Sequence, residues 1–120
     1  MKLGVTSHFN AAHMLPRHTG KCKNMHGHTY KVEIVVEGYK NNETQCIADF
    51  SEVKELLDEV IDMLDHKLLN DILSYPTSEN IAEFIWNELN TRVRRLGVKL
   101  YAVKVWEGEG KWVMIEGNEL

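Results

Sequence analysis

Apolar and polar residues alternate in two stretches near the start of the chain. The first, LGVTSHF, continues towards His13; the second, TYKVEIVVEGY, places Tyr30, Val32, Ile34 and Val36 on one face. Period two with β-branched residues predicts strands. Between them MLPRHTGKCKNMHG carries Pro16, Gly20 and Gly27 and reads as a loop, so the two strands make a long-looped hairpin. After the turn KNNET, QCIADF reads as a short strand leading into a helix, with Asp49 as N-cap and Glu52 three residues on. Val53, Leu56, Leu57, Val60, Ile61 and Leu64 then follow helical spacing. NDILSYPTSEN interrupts the pattern, and Thr77 or Ser78 can cap a second helix. Its stripe is Ile81, Phe84, Ile85, Leu89, Val93 and Leu96, closed by Gly97. KLYAVKVWE and KWVMIEG form a closing hairpin that turns at GEG.

The predicted order is strand, strand, short strand, helix, helix, strand, strand. Strands and helices are segregated, which gives an α+β fold with a mainly antiparallel sheet. Two helices cover one face of so small a sheet and leave its edges to be paired or protected. Assembly of several copies is a natural solution.

Length and composition narrow the class. At 120 residues the chain suits one domain spanning 1–120. A hydrophobic content of 43% beside 27% charged residues is a globular balance. No apolar run approaches the ~20 residues that span a bilayer. MKLGVTSHFNAAHML lacks the basic start and apolar stretch of a signal peptide, so the expected location is the cytoplasm. There Cys22 and Cys46 are expected to be free thiols. The formal charge of −4 gives no general reason to bind nucleic acid or an acidic membrane, and an anionic ligand would need a local basic patch.

The candidate chemistry gathers around the first hairpin. His26 and His28 are two apart at the start of a strand, so their side chains leave the same face roughly 6.5–7 Å apart along the backbone. His13, at the end of the partner strand, can supply a third nitrogen. Three neutral imidazoles suit Zn2+ with a position open to water or substrate. An H-x-H pair alone is weak evidence, and Cys22 as a fourth ligand would instead make a closed structural site. Lys21 and Lys23 flank Cys22 and favour its thiolate. Cys46, in an apolar segment, reads as a small core residue without a role. Asp65 and His66 could form an acid-base pair, but neighbours on regular backbone point apart, and a helix-end histidine favoured by the dipole is the simpler reading of the residues alone. His8 and His18 read as ordinary strand and loop residues. Glu107, at a strand end, could accept two hydrogen bonds from the amino-pyrimidine edge of a pterin or guanine, or be merely solvated.

FNAAHMLP, CKNMHGHTYKVEI, IADF, LDHKLLND, PTSENIAEFIW and VKVWEG follow one another along nearly the whole chain. In this order the six resemble the 6-pyruvoyl-tetrahydropterin synthase superfamily. The spacing C-x3-H-x-H and the ADF before the first helix resemble its carboxy-tetrahydropterin branch, in the 7-deazaguanine (queuosine or archaeosine) pathway; pyruvoyl-forming members typically carry C-x5-H-x-H. The resemblance implies a tunnelling fold, in which four-stranded sheets of neighbouring subunits join into a barrel with helices outside, as a trimer or a stacked hexamer. It implies zinc on His13, His26 and His28, Cys22 as catalytic thiol, Asp65 and His66 as acid-base partners, and Glu107 as pterin anchor with Thr77 near the same pocket. Active sites would lie between subunits, so that Asp65 and His66 serve Cys22 of a neighbouring chain. Asn10 departs from the residue common in F-x-A-A-H, with no functional consequence attached.

The implied reaction turns 7,8-dihydroneopterin triphosphate into 6-carboxy-5,6,7,8-tetrahydropterin, acetaldehyde and triphosphate. For this anionic substrate the expected basic patch is Arg17, Lys21 and Lys23, since no acidic residue interrupts positions 17 to 23. The alternatives are triphosphate elimination to a pyruvoyl pterin, side-chain cleavage to a hydroxymethyl pterin, or a zinc-stabilised module that binds a pterin or purine without chemistry. A thiol beside an acid-base pair argues against the last.

Overall fold

Tyr30, Val32, Ile34 and Val36 are completely buried, and their face of β2 (His26–Glu37) is the floor of the core. β2 pairs antiparallel with β1 (Lys2–His13) on one side, Phe9 standing opposite Tyr30 with the two rings stacked at 4.7 Å between centroids. On its other side it pairs antiparallel with β3 (Lys99–Glu107), which pairs with β4 (Trp112–Glu116), giving the order β1-β2-β3-β4. This computed structural model describes residues 1–119.

α1 (Phe50–Ile61) and α2 (Ser78–Val93) pack on the same face of the sheet. Asp49 caps α1 by accepting the Ser51 N–H. Thr77 caps α2 by accepting the Asn80 N–H, each cap being worth about 1 kcal/mol. The predicted stripes face inward: Val53, Leu56, Leu57, Val60 and Ile61 from α1, and Ile81, Ile85, Leu89 and Val93 from α2, are buried. Leu64 is buried too, although it lies in the turns beyond α1. Past α2 a short 3-10 turn, Arg94–Leu96, ends at Gly97, whose φ of 75° is left-handed and suits glycine. The opposite face of the sheet carries Lys104 between the rings of Trp106 and Trp112, at 4.4 and 3.9 Å from their centroids.

Two expectations fail at one place. QCIADF forms no strand, and Cys46 is exposed instead of packed in the core. Asn41 is the cause: its Oδ1 accepts the N–H groups of Glu43 and Thr44, and its own N–H donates to the Cys46 carbonyl at 2.8 Å. With Gln45 at a φ of 62°, the segment closes on itself and offers no edge to the sheet. The predicted first loop is also shorter than expected, because β2 already begins at His26 and takes in Gly27. Among the described residues, no helix is long and apolar enough to cross a membrane.

Candidate functional site

The alternation that buries Tyr30 continues backwards along β2 to His28 and His26. On β1 the same face runs from Phe9 through Ala11 to His13. Pairing sets His13 opposite His26 and Ala11 opposite His28, so three imidazoles converge where the apolar face ends. One ring nitrogen from each lies within 4.8 Å of the others. His13 is fully buried; His26 and His28 are half-buried.

Hydrogen bonds fix the ring tautomers. His13 Nδ1 lies 2.8 Å from the Pro76 carbonyl and His26 Nδ1 lies 2.7 Å from the Asn24 carbonyl. A carbonyl only accepts, so both Nδ1 atoms carry protons and, in the neutral rings, both Nε2 atoms carry lone pairs. These two nitrogens face each other at 3.1 Å. Lone pairs at that distance repel unless a proton or a cation lies between them. Nitrogens on a tetrahedral zinc with bonds of ~2.0–2.1 Å would stand about 3.3 Å apart. His28 Nε2 is the third, buried without a hydrogen-bond partner, since Glu107 Oε1 at 3.2 Å lies off hydrogen-bonding geometry. Burial pushes His28 below the ordinary imidazole range; the Glu107 carboxylate opposes this, and His13 and His26 add to it. The three could hold a metal ion, and their donor set fits a divalent cation of intermediate softness.

Glu107 borders this cluster at the end of β3. Its Oε2 accepts the Ser78 hydroxyl at 2.9 Å, and Lys111 Nζ lies 3.9 Å from Oε1. Ser78, not Thr77, is the side chain that meets Glu107. In the sequence both read as possible helix caps and the resemblance put Thr77 near the pocket, but nothing local marked Ser78 as the side chain that reaches Glu107. Tyr30 Oη lies 3.4 Å from His13 Nδ1. Burial, then the charges of Glu107 and Cys22, push its phenol well above the usual range and keep it an O–H donor.

Asp65 and His66 do meet each other despite being adjacent. A φ of 58° at His66 turns the chain, and Nδ1 comes within 2.9 Å of Asp65 Oδ2. Asn10 anchors the pair: its N–H donates to Asp65 Oδ1 at 2.9 Å, and its carbonyl accepts the His66 N–H at 2.6 Å. No hydrogen bond among the described residues joins this pair to Cys22 or to the three histidines. Cys22 is half-exposed on a 3-10 turn, Lys21–Lys23, with both lysines exposed. Arg17 lies over the Tyr75 ring, 4.0 Å from its centroid, in the same loop.

The Asn10 N–H, and next the His66 side chain, hold the Asp65 carboxyl below its ordinary value of 3.8. Because the folded value is the lower one, the contribution is present above the unfolded value and is lost as pH falls through the folded one. The Asn10 amide resonance is therefore expected to titrate with a midpoint below 3.8, and the inflection to vanish in Asp65→Asn. An NMR midpoint at or above 3.8 contradicts the anchoring role of Asn10.

An antiparallel four-stranded sheet, two helices on one face and three convergent imidazoles at the end of the buried face define a tunnelling-fold protein with a candidate metal centre. The chain belongs to the 6-pyruvoyl tetrahydropterin synthase family, whose profile matches residues 2–118. It is 40% identical over 115 residues to an Archaeoglobus fulgidus protein provisionally named 6-carboxy-5,6,7,8-tetrahydropterin synthase, covering 96% of this chain and 95% of that one. It is 37% identical over 111 residues to the dihydroneopterin monophosphate aldolase of Pyrococcus furiosus, covering 90% of each. Its fold matches Caenorhabditis elegans 6-pyruvoyl tetrahydropterin synthase with a TM-score of 0.87 at 24% identity, covering 98% of this chain and 95% of that one.

Proposed function

We propose that the protein is a zinc-dependent lyase that converts 7,8-dihydroneopterin triphosphate and one water into 6-carboxy-5,6,7,8-tetrahydropterin, acetaldehyde and triphosphate. The observation that carries this reading is the convergence of His13, His26 and His28 on one point, with the Glu107 carboxylate 3.2 Å from His28 Nε2. Zinc held by the three Nε2 atoms would supply Lewis acidity to the side-chain oxygens of the substrate and acidify the bonds next to them.

The remaining work falls to the chain's own groups. Glu107 accepts hydrogen bonds from the amino-pyrimidine edge of the pterin, held in orientation by Ser78. Cys22, between two lysines, moves protons on the substrate side chain as a base. His66 is the complementary acid or base: Asp65 occupies its Nδ1 and leaves Nε2 for the substrate. A homo-oligomer of this fold would bring the Asp65–His66 pair of one subunit to the Cys22 of its neighbour. The sheet edges at β1 and β4 support that arrangement.

The C-x3-H-x-H spacing and the near full-length similarity to the Archaeoglobus protein support the carboxy product. The similarity to the Pyrococcus aldolase favours a second reading, cleavage of the side chain to a 6-hydroxymethyl pterin. Incubation of zinc-loaded protein with 7,8-dihydroneopterin triphosphate, mass spectrometry of the pterin and a parallel acetaldehyde assay separate the two. Carboxy-tetrahydropterin with equimolar acetaldehyde is the expected result. A hydroxymethyl or pyruvoyl pterin overturns the assigned product, and bound but unchanged substrate overturns the enzyme reading.

Arg17, Lys21 and Lys23 are all exposed and supply the positive charge for the triphosphate. Charge-assisted contacts contribute about 1.5–3 kcal/mol each, so reversing Arg17 and Lys23 to glutamate is expected to raise KM at least about tenfold with little change in kcat. An unchanged KM removes these residues from the binding site.

A further inference from the structure

We infer that Asn70 is a positioning residue for Cys22, its side-chain amide clamping the strand end from which the thiol-bearing loop departs. Its catalytic consequence rests on the role proposed above for Cys22; the clamp itself does not.

Residues 65–70 run beside the end of β1 as an extra, parallel partner. Asn10 accepts the His66 N–H, Ala12 donates its N–H to the Lys67 carbonyl at 3.1 Å, and Ala12 bridges to Leu68 in parallel fashion. The next rung on β1 would fall at Met14, but the opposing backbone has by then turned into the 3-10 helix Leu69–Asp71. The Asn70 side chain takes its place. Oδ1 accepts the Met14 N–H and Nδ2 donates to the Met14 carbonyl, both at 2.9 Å. A carboxamide offers the donor and acceptor of a peptide group, so it extends the ladder by one step after the backbone has left it.

Met14 stands between the metal-ligand candidate His13 and Leu15. Leu15 is buried and donates its N–H to the Cys22 carbonyl at 2.7 Å, while its own carbonyl accepts the His18 N–H. The turn that carries Cys22 buries none of its own residues and has no side-chain cap. The hydrogen bond that reaches Cys22 itself comes from Leu15, while the flanks of the loop are tied by the Arg17 N–H to the Tyr75 hydroxyl and by the Asn24 carbonyl to His26. Leu15 is held beside the rung that Asn70 supplies. Nothing in the local pattern of LDHKLLND marks this role, because both partners of the clamp lie 56 residues away.

Asn70→Leu keeps the branch at Cγ and the number of side-chain heavy atoms and removes both hydrogen bonds; Asn70→Asp keeps the acceptor for the Met14 N–H and loses the donor. The measurement is amide hydrogen exchange on the intact protein, read together with steady-state kinetics on 7,8-dihydroneopterin triphosphate. In Asn70→Leu the Leu15 amide is expected to lose most of its protection, although Asn70 does not touch it. The Ala12 amide should stay protected, and the Ile34 and Val103 amides report that the core is intact. kcat should fall about tenfold or more with KM and bound zinc unchanged, and Asn70→Asp should lie between. Unchanged Leu15 protection in both variants overturns the clamp. Lost protection with unchanged kcat overturns its catalytic consequence. A wild-type protein without turnover strikes the functional reading alone, and the exchange data still decide the clamp.

Discussion

Cys22→Ala is expected to lower turnover of 7,8-dihydroneopterin triphosphate by about two to four orders of magnitude, the range typical of a positioned proton-transfer group. It should do so without loss of zinc. The three imidazole nitrogens already form a complete set for an open tetrahedral site, and two of them are oriented by backbone carbonyls that the thiol does not touch. Metal analysis beside the kinetics therefore separates two roles for the same sulfur. Inactive protein with one zinc per chain assigns the thiol to proton transfer, whereas inactive protein without zinc makes Cys22 a fourth ligand in a closed site. Cys46 is the control: it is exposed, far in sequence from the hairpin loop, and Cys46→Ala should leave turnover and metal content alone.

The second large effect is expected at the histidines. His26→Ala leaves two imidazoles, and zinc content should fall from one per chain to near zero after dialysis, with activity lost alongside. His13→Ala should do the same and also destabilise the fold. The ring is fully buried, and its loss leaves the Pro76 carbonyl without its donor, a penalty of about 1–3 kcal/mol. Chelation should accordingly lower the melting temperature of the wild-type protein and leave that of His26→Ala unchanged, because metal bound only by the folded state stabilises it. Full zinc occupancy in His26→Ala would remove the histidine cluster as the metal centre.

Much of this molecule was legible where one physical rule acts over a short range. Tyr30, Val32, Ile34 and Val36 announced a strand face by period two alone, Asp49 announced a cap by residue type and spacing, and the second cap was narrowed to Thr77 or Ser78. The three histidines could be placed together because they extend those same strands. QCIADF failed because its apolar residues gave a strand signal while Asn41, four residues before the segment's Gln45, folded the chain back on itself through its side chain. On regular backbone Asp65 and His66 would point apart, so only the resemblance paired them, and the single left-handed residue that brings them together left no local signal. Ser78 and Asn70 were missed for a different reason. Their partners, Glu107 and Met14, are distant in sequence, and a side chain that bonds across the fold leaves no periodic trace.

The candidate metal ligands sit on paired strands, but the thiol sits on the connection between them. A one-residue slip of β1 against β2 would turn Phe9 and Ala11 out to solvent together with His13, so the imidazole geometry is guarded by core burial. The connection has no such guard: doubling a loop's length costs only about 0.6 kcal/mol in closure entropy. Evolution can thus lengthen or shorten the arm that carries the Cys22 thiol while the three imidazoles keep their places on the paired strands. A family built on this hairpin can vary that one segment by insertion and deletion without disturbing the histidine cluster.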